Sequence, residues 1–398
     1  MRRPRRRPAS PDGTPITAEL RSPAGRSGGR TVELDVRNNS LNLIRLLLAL
    51  LVLVAHGYYL SGAGTGPSIQ GENLGGWAVF GFFTISGYLI TASRFANPLG
   101  RYLVLRVARI YPGFLVCLVV TAGVFAPIAW AAEGRDWSGF LSTPTTPPAY
   151  VLENAALRIN AYDVAGTPAA VPYPGAWNGS LWTLYFEFLC YLLIGLLICL
   201  PVVRRNRWLI VVGFALSVLA WATVDGWGPG AYSDLVLLSR LLPAFLGGAV
   251  VHVLIGRVPL RTPLALAAIA GAALLVAAVD HWGAQLAAPL ITYALLWLST
   301  VLPSPAVSRR HDISYGVYIY AFPIQQLLVY AGAHRLGLAA YDVLAALATA
   351  AVAVLSWRLV ERPALRWARR RDGRADAPHS TAGVPVRREA DSGREPVR

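Results

Sequence analysis

An arginine and a histidine, Arg45 and His56, interrupt the apolar run Leu41 to Tyr59, LNLIRLLLALLVLVAHGYY. The run is long enough to cross a bilayer, where a charged side chain costs roughly 2.5 to 3.5 kcal/mol on insertion scales, so both residues are candidates for function. Eleven positions at about 100° each turn a helix three times plus about 20°. Both side chains then project from one face, about 16 Å apart along the axis. That face carries a fixed cation and, most of the way across, an imidazole, a group that exchanges protons near neutral pH.

Other chemistry-bearing residues lie in similar settings. Glu187 sits about two turns inside the apolar stretch NGSLWTLYFEFLCY (178–191), with Thr183 and Tyr191 on its face. An intramembrane acid needs a cation, a hydrogen-bond network or a proton, and the sequence offers Arg45, Arg240 and His56 as partners. A buried ion pair that fixes helix register and a catalytic acid both remain open, and Arg240 shares the ambiguity. Arg106 and Arg109, in RYLVLRVARIYPGF (101–114), share a helix face, and Pro112 is expected to break or kink that helix. A row of planar guanidinium forks suits phosphates, although the positive-inside bias of membrane proteins places arginines in such loops too. Ser86, in GWAVFGFFTISGYLI (76–90), reads with Gly81 and Gly87 as a close-packing residue. As a nucleophile it would need an adjacent base that the sequence does not place. Cys117, Cys190 and Cys199 fall inside apolar stretches without metal-ligand spacing, and no H-E-x-x-H, phosphate loop or G-x-S-x-G elbow is present. No metal site is expected.

The elements that must position these residues follow from composition. With 398 residues, 55% hydrophobic and only 14% charged, the chain has too little polar surface for a water-soluble domain. The expectation is an all-α polytopic membrane protein, a bundle of about ten transmembrane helices near 41–60, 76–92, 110–132, 179–201, 208–224, 234–255, 263–280, 284–302, 313–333 and 341–360. The net charge of +15 comes from arginine alone and lies mainly at the two ends and in short loops, so nucleic acid is not the expected partner. With the N-terminus inside, the inner loops hold eleven arginines against three in the outer loops. This places both termini in the cytoplasm and the chain in the cell membrane as a multi-pass protein in contact with the lipid bilayer. Residues 1–40 and 363–398 read as disordered basic tails around a membrane domain over 41–362. The connection 133–178 is too polar to span and is either lid-like or a passive linker.

The ordered set of motifs resembles the acyltransferase 3 (O-acetylase) family of integral-membrane enzymes. It comprises Arg45 and His56 as an R-x10-H pair, FFTISGYLI (82–90), RVARIYP (106–112), SLWTLYFEFLCY (180–191), SYGVYIYAFP (314–323) and VERP (360–363). The resemblance implies transfer of an acyl group, most simply acetyl, from cytoplasmic acyl-CoA to a hydroxyl of a carbohydrate-containing acceptor. The acceptor is an envelope glycan or exopolysaccharide, or a glycosylated small molecule such as a macrolide. Acyl-CoA is then a donor substrate, and no separate cofactor is implied. His56, Arg45 and Glu187 form the implied catalytic set, with His56 taking the hydroxyl proton or the acyl group itself. Arg106, Arg109, Trp182, Ser314 and Tyr315 are the implied substrate-binding residues. The late motif departs from the family at Ala321, where relatives often carry histidine, so that histidine's role is not carried over. From the residues alone, a transporter using the intramembrane Arg, His and Glu as a pathway is the competing reading, without a visible inverted repeat to support it.

Overall fold

The computed structural model describes residues 39–224, 234–305 and 311–370. Of the two expected tails, 1–38 and 371–398 lie outside the described residues. The first long helix, α1 (Leu41–Leu60), coincides with the opening apolar run. It is followed by a two-stranded antiparallel hairpin, β1 (Ser68–Ile69) and β2 (Glu72–Asn73), and by α2 (Leu74–Ala96), which Asn73 caps by accepting the Gly76 N–H. Next come α3 (Leu99–Ala132), the short α4 (Pro147–Asn154), α5 (Trp182–Leu197) and α6 (Trp208–Ala222). The described residues end with α7 (Asp234–Leu254), α8 (Thr262–Ala278), α9 (Ala288–Val301), α10 (Ser314–Tyr330) and α11 (Leu338–Arg370).

Five of these helices, α1, α2, α3, α7 and α11, are long and apolar enough to cross a membrane, whereas α5, α6, α8 and α9 are apolar but shorter. A 16-residue helix reaches only about 24 Å against a hydrocarbon core of about 30 Å, so helix length by itself bears out five of the expected crossings. Two boundaries also differ from expectation. Pro112 does not end its helix: α3, 34 residues long in all, runs through it and takes up a π-helical turn at Thr121–Phe125. Membrane helices tolerate such breakers because neighbouring groups re-satisfy the freed backbone. Likewise α11 passes through a π-helical turn at Trp357–Glu361 and stays helical to Arg370, beyond the boundary drawn at 362, because it packs against α3 and buries Ala368.

Glycines set the tightest helix contact. A Cβ on Gly87 would lie 1.8 Å from the Phe245 carbonyl oxygen, and one on Gly248 would lie 2.0 Å from that of Thr84, so α2 and α7 approach backbone to backbone. Around this pair, α1 is held by α10, where Gln325 Nε2 donates to the Leu53 carbonyl at 3.0 Å. Its start is tied to the end of α9 by the Ser40 N–H, which donates to Ser299 O at 2.8 Å. The connection 133–178 is a packed cap over the end of the bundle where α1 finishes. Its buried Asn154 donates to Ala161 O and accepts the Asn160 and Ala161 N–H groups, and its buried Trp177 donates to Thr167 Oγ1 at 3.1 Å. Gln326 of α10 clips the cap down by donating to the carbonyls of Tyr173 (2.8 Å) and Ala176 (3.0 Å).

Candidate active site

At the end of the bundle where α1 begins, four elements bring charges together. Arg45 of α1 and Arg109 of α3 both bond Asp312 Oδ2, at 2.9 and 2.5 Å, just before α10 starts. Glu361, delivered by the π turn of α11, lies 3.9 Å from Arg109 Nη1 and accepts from Ser356 Oγ at 3.0 Å. Two residues expected to bind substrate help to build this cluster. Ser314 donates to Asp312 Oδ1 at 2.6 Å, and Tyr315 donates to the Ile110 carbonyl at 2.7 Å while its ring lies 5.7 Å from the Arg109 guanidinium carbon. Burial by itself would raise the Asp312 carboxyl, but Arg109, Arg45 and the Ser314 hydrogen bonds outweigh it and hold the group well below the usual carboxylate range. Arg106, three residues before Arg109, has a buried Nε with no hydrogen-bond partner among the described residues.

Midway along the bundle, Glu187 Oε1 accepts from Ser86 Oγ of α2 at 2.8 Å and from Tyr191 OH, one turn on, at 2.5 Å. Of the three options open to an intramembrane acid, Glu187 has the hydrogen-bond network, while Arg45 is engaged by Asp312, Arg240 by Glu72, and His56 makes no hydrogen bond to Glu187. The reason is positional. Each arginine takes the acid at its own end of the bundle, and two hydroxyls suffice for a carboxylate halfway between. The packing residue Ser86 therefore has a base beside it, supplied by a helix about a hundred residues downstream.

At the far end a cavity of about 640 Å³ opens between α1, α2, α5, α7 and α10 and the β1–β2 hairpin. His56 lies on its wall, 8% exposed, with its ring edge-on to Tyr59 and Phe322 at 5.6 and 5.1 Å. Its Nδ1 is buried and has no hydrogen-bond partner among the described residues. Tyr59 and Phe322 are in turn packed by Tyr173 of the cap, so the 133–178 segment helps to fix the imidazole. Trp182, Trp77 and Trp221 line the same cavity, together with the ion pair between Arg240 and Glu72. Tyr318 completes the wall, its hydroxyl 2.5 Å from Thr183 Oγ1 and 2.9 Å from the Ser180 carbonyl oxygen. Thr183 is one turn above Glu187 on α5, so polar groups continue from the cavity toward the buried acid.

The structure thus divides the expected site residues among three places. His56 and Trp182 face the cavity, Glu187 is midway, and Arg45, Arg109, Ser314 and Tyr315 belong to the charge cluster, with Arg106 beside Arg109 in sequence. Asp312, Glu361, Tyr318 and Glu72 were not among the expected residues. Asp312 had a signal, being an acid in an inner loop otherwise rich in arginine, and Glu361 stands in the VERP motif.

A family described as "Acyltransferase domain" matches residues 38–358. Over 340 residues the chain is 28% identical to an O-acetyl transferase of Shigella phage Sf6, covering 82% of this chain and 96% of the relative. Over 358 residues it is 26% identical to nodulation protein 10 of Rhizobium leguminosarum bv. viciae, covering 82% of this chain and 93% of the relative. No solved structure matches it significantly. A match that runs from residue 38 to residue 358 takes in Arg45, Arg109 and Asp312, the buried Glu187 and His56, and the chain belongs to the acyltransferase 3 family as a membrane acyltransferase of groups other than amino-acyl groups.

Proposed function

We propose that this acyltransferase moves an acetyl group from acetyl-CoA, held at the arginine end, to a hydroxyl of a carbohydrate-containing acceptor in the cavity, with His56 as general base. One observation carries the reading: a buried imidazole, bonded to nothing described, stands on the wall of the cavity. In the step proposed, the acceptor oxygen attacks the thioester carbonyl while its proton passes to His56. The C–S bond then breaks, and the departing thiolate takes that proton. The O-acetyl transferase relative supports acetyl as the group and oxygen as the acceptor atom.

The rest of the site fits the two substrates. Tryptophans 77, 182 and 221 offer apolar ring faces to a sugar, and Arg240, Glu72 and Gln285 offer hydrogen bonds to its edge. Arg106 has donor capacity left for the phosphates of the donor, and Arg45 and Arg109 present a charge-assisted surface beside it. Glu187 acts as a positioning residue on the polar path between the two ends. Ten crossings with both termini in the cytoplasm accord with the loop arginines and put the arginine end on the side where CoA is found. A pathway that transports without acyl transfer leaves the family membership unaccounted for. The test is purified protein in liposomes with radiolabelled acetyl-CoA and a panel of envelope glycans and glycosylated small molecules. Label recovered as an ester on an acceptor supports the reading; label that never leaves CoA with any acceptor removes it.

A further inference from the structure

The outward face of α11 carries two parallel stripes that the acyl-transfer site does not use. Leu347, Leu355, Leu359 and Trp367, separated by four or eight residues, are 56–72% exposed, and Ala351 and Pro363 fill the series and are exposed too. Between its turns the opposite face, with Trp357, Glu361 and Ala368, is buried against the bundle. An exposed apolar ridge on a helix long enough to cross a membrane faces acyl chains. One position before the ridge, with the same spacing, come Arg358, Arg362, Arg366 and Arg370, all exposed. Among the described residues none of the four makes an ion pair or a hydrogen bond. The arginines begin where the apolar part of the ridge ends, and Trp367 marks the level at which indole rings settle between chains and headgroups.

From this we infer that the 355–370 stretch of α11 forms a docking surface for an acidic phospholipid. Its chains lie along Leu355 and Leu359 and its headgroup phosphate is held by Arg362 and Arg366. The chemistry is complementary in both parts. Guanidinium forks bond phosphate oxygens in pairs, and an apolar ridge continuous with them accepts the chains that a free phosphate lacks. A zwitterionic lipid offers the same chains but adds a cation that four arginines repel.

The experiment compares the full chain with an Arg362→Gln/Arg366→Gln variant and an Arg362→Lys/Arg366→Lys variant, in nanodiscs of phosphatidylcholine with and without phosphatidylglycerol. Lipid retained through detergent extraction is counted by native mass spectrometry, and the melting temperature is recorded. The wild type should keep phosphatidylglycerol in preference to phosphatidylcholine and melt higher in its presence. Surface attraction of about fivefold per basic residue predicts that the glutamine variant loses tenfold or more of that retention, with the lysine variant intermediate. Since the replaced side chains make no ion pair or hydrogen bond among the described residues, the melting temperature in phosphatidylcholine alone should not change. Equal retention of both lipids by the wild type, or undiminished phosphatidylglycerol retention by the glutamine variant, overturns the inference. So does equal stabilisation by inorganic phosphate. A chain ending at Arg370 that binds acidic lipid where the full chain does not would make residues 371–398 the occupant and overturn it as well.

Discussion

Asp312→Asn should unsettle the protein far more than the loss of one loop charge suggests. A single carboxylate oxygen holds both Arg45 and Arg109, and the three side chains are only 22%, 14% and 14% exposed for Arg45, Arg109 and Asp312. Breaking a fully buried pair costs about 3–5 kcal/mol, and an exposed pair is worth about 0–1 kcal/mol. Two guanidiniums left facing each other at this intermediate exposure should cost about 2–4 kcal/mol, since asparagine keeps the shape and removes only the charge. Thermal unfolding in detergent should show a fall on the order of 5 to 10 °C. Adding Arg45→Met to the variant should recover part of the loss, with a coupling of about 1–3 kcal/mol in the double-mutant cycle. The sign with pH is fixed by the depressed carboxyl: its contribution is present above the ordinary aspartate value and is lost only as pH falls through the lower folded value. The gap between wild type and Asp312→Asn should therefore stay constant from about pH 8 down to about pH 5. Additive losses, or an Asp312→Asn protein that melts with the wild type, would refute the shared-carboxylate reasoning.

Arg106→Gln should raise the apparent KM for acetyl-CoA and flatten its dependence on salt while leaving the melting temperature near wild type, because this arginine's Nε has no bond to lose. Arg109→Gln should instead lower the melting temperature through Asp312; if Arg106→Gln does the same and KM does not move, the phosphate role is wrong. For topology, a reporter active only outside the cytoplasm, fused after Arg398, should give no signal, and a strong signal would overturn the arrangement with both termini inside.

What the sequence reveals is what lies within one helix. The apolar run at 41–60 appears as α1 with its expected ends, and the eleven-residue spacing of Arg45 and His56 places them at opposite ends of that helix. Relations between helices are another matter. Glu187 finds Ser86, 101 residues away, and Arg45 finds Asp312, 267 residues away, and no periodicity encodes either meeting. Helix ends are hidden for a related reason. Pro112 carries a local breaking signal that tertiary packing overrides, and the arginines after Glu361 look like a solvated tail until their spacing of four is set beside the buried Ala368. The packing of the 133–178 cap is not legible in the sequence because its order comes from Asn154, Trp177 and the Gln326 clip, which are single side-chain hydrogen bonds without a pattern along the chain.

The central claim is that the His56 imidazole takes the acceptor's proton, and acetyl transfer by His56→Gln tests it most directly. Glutamine keeps a hydrogen-bonding shape on the cavity wall but cannot accept a proton at neutral pH. Loss of a general base lowers turnover by about 10² to 10⁴, so His56→Gln and His56→Ala should both remain folded, bind acetyl-CoA like the wild type and transfer acetyl more slowly by that factor. A folded His56→Gln protein that transfers label to acceptor at close to the wild-type rate would contradict the account.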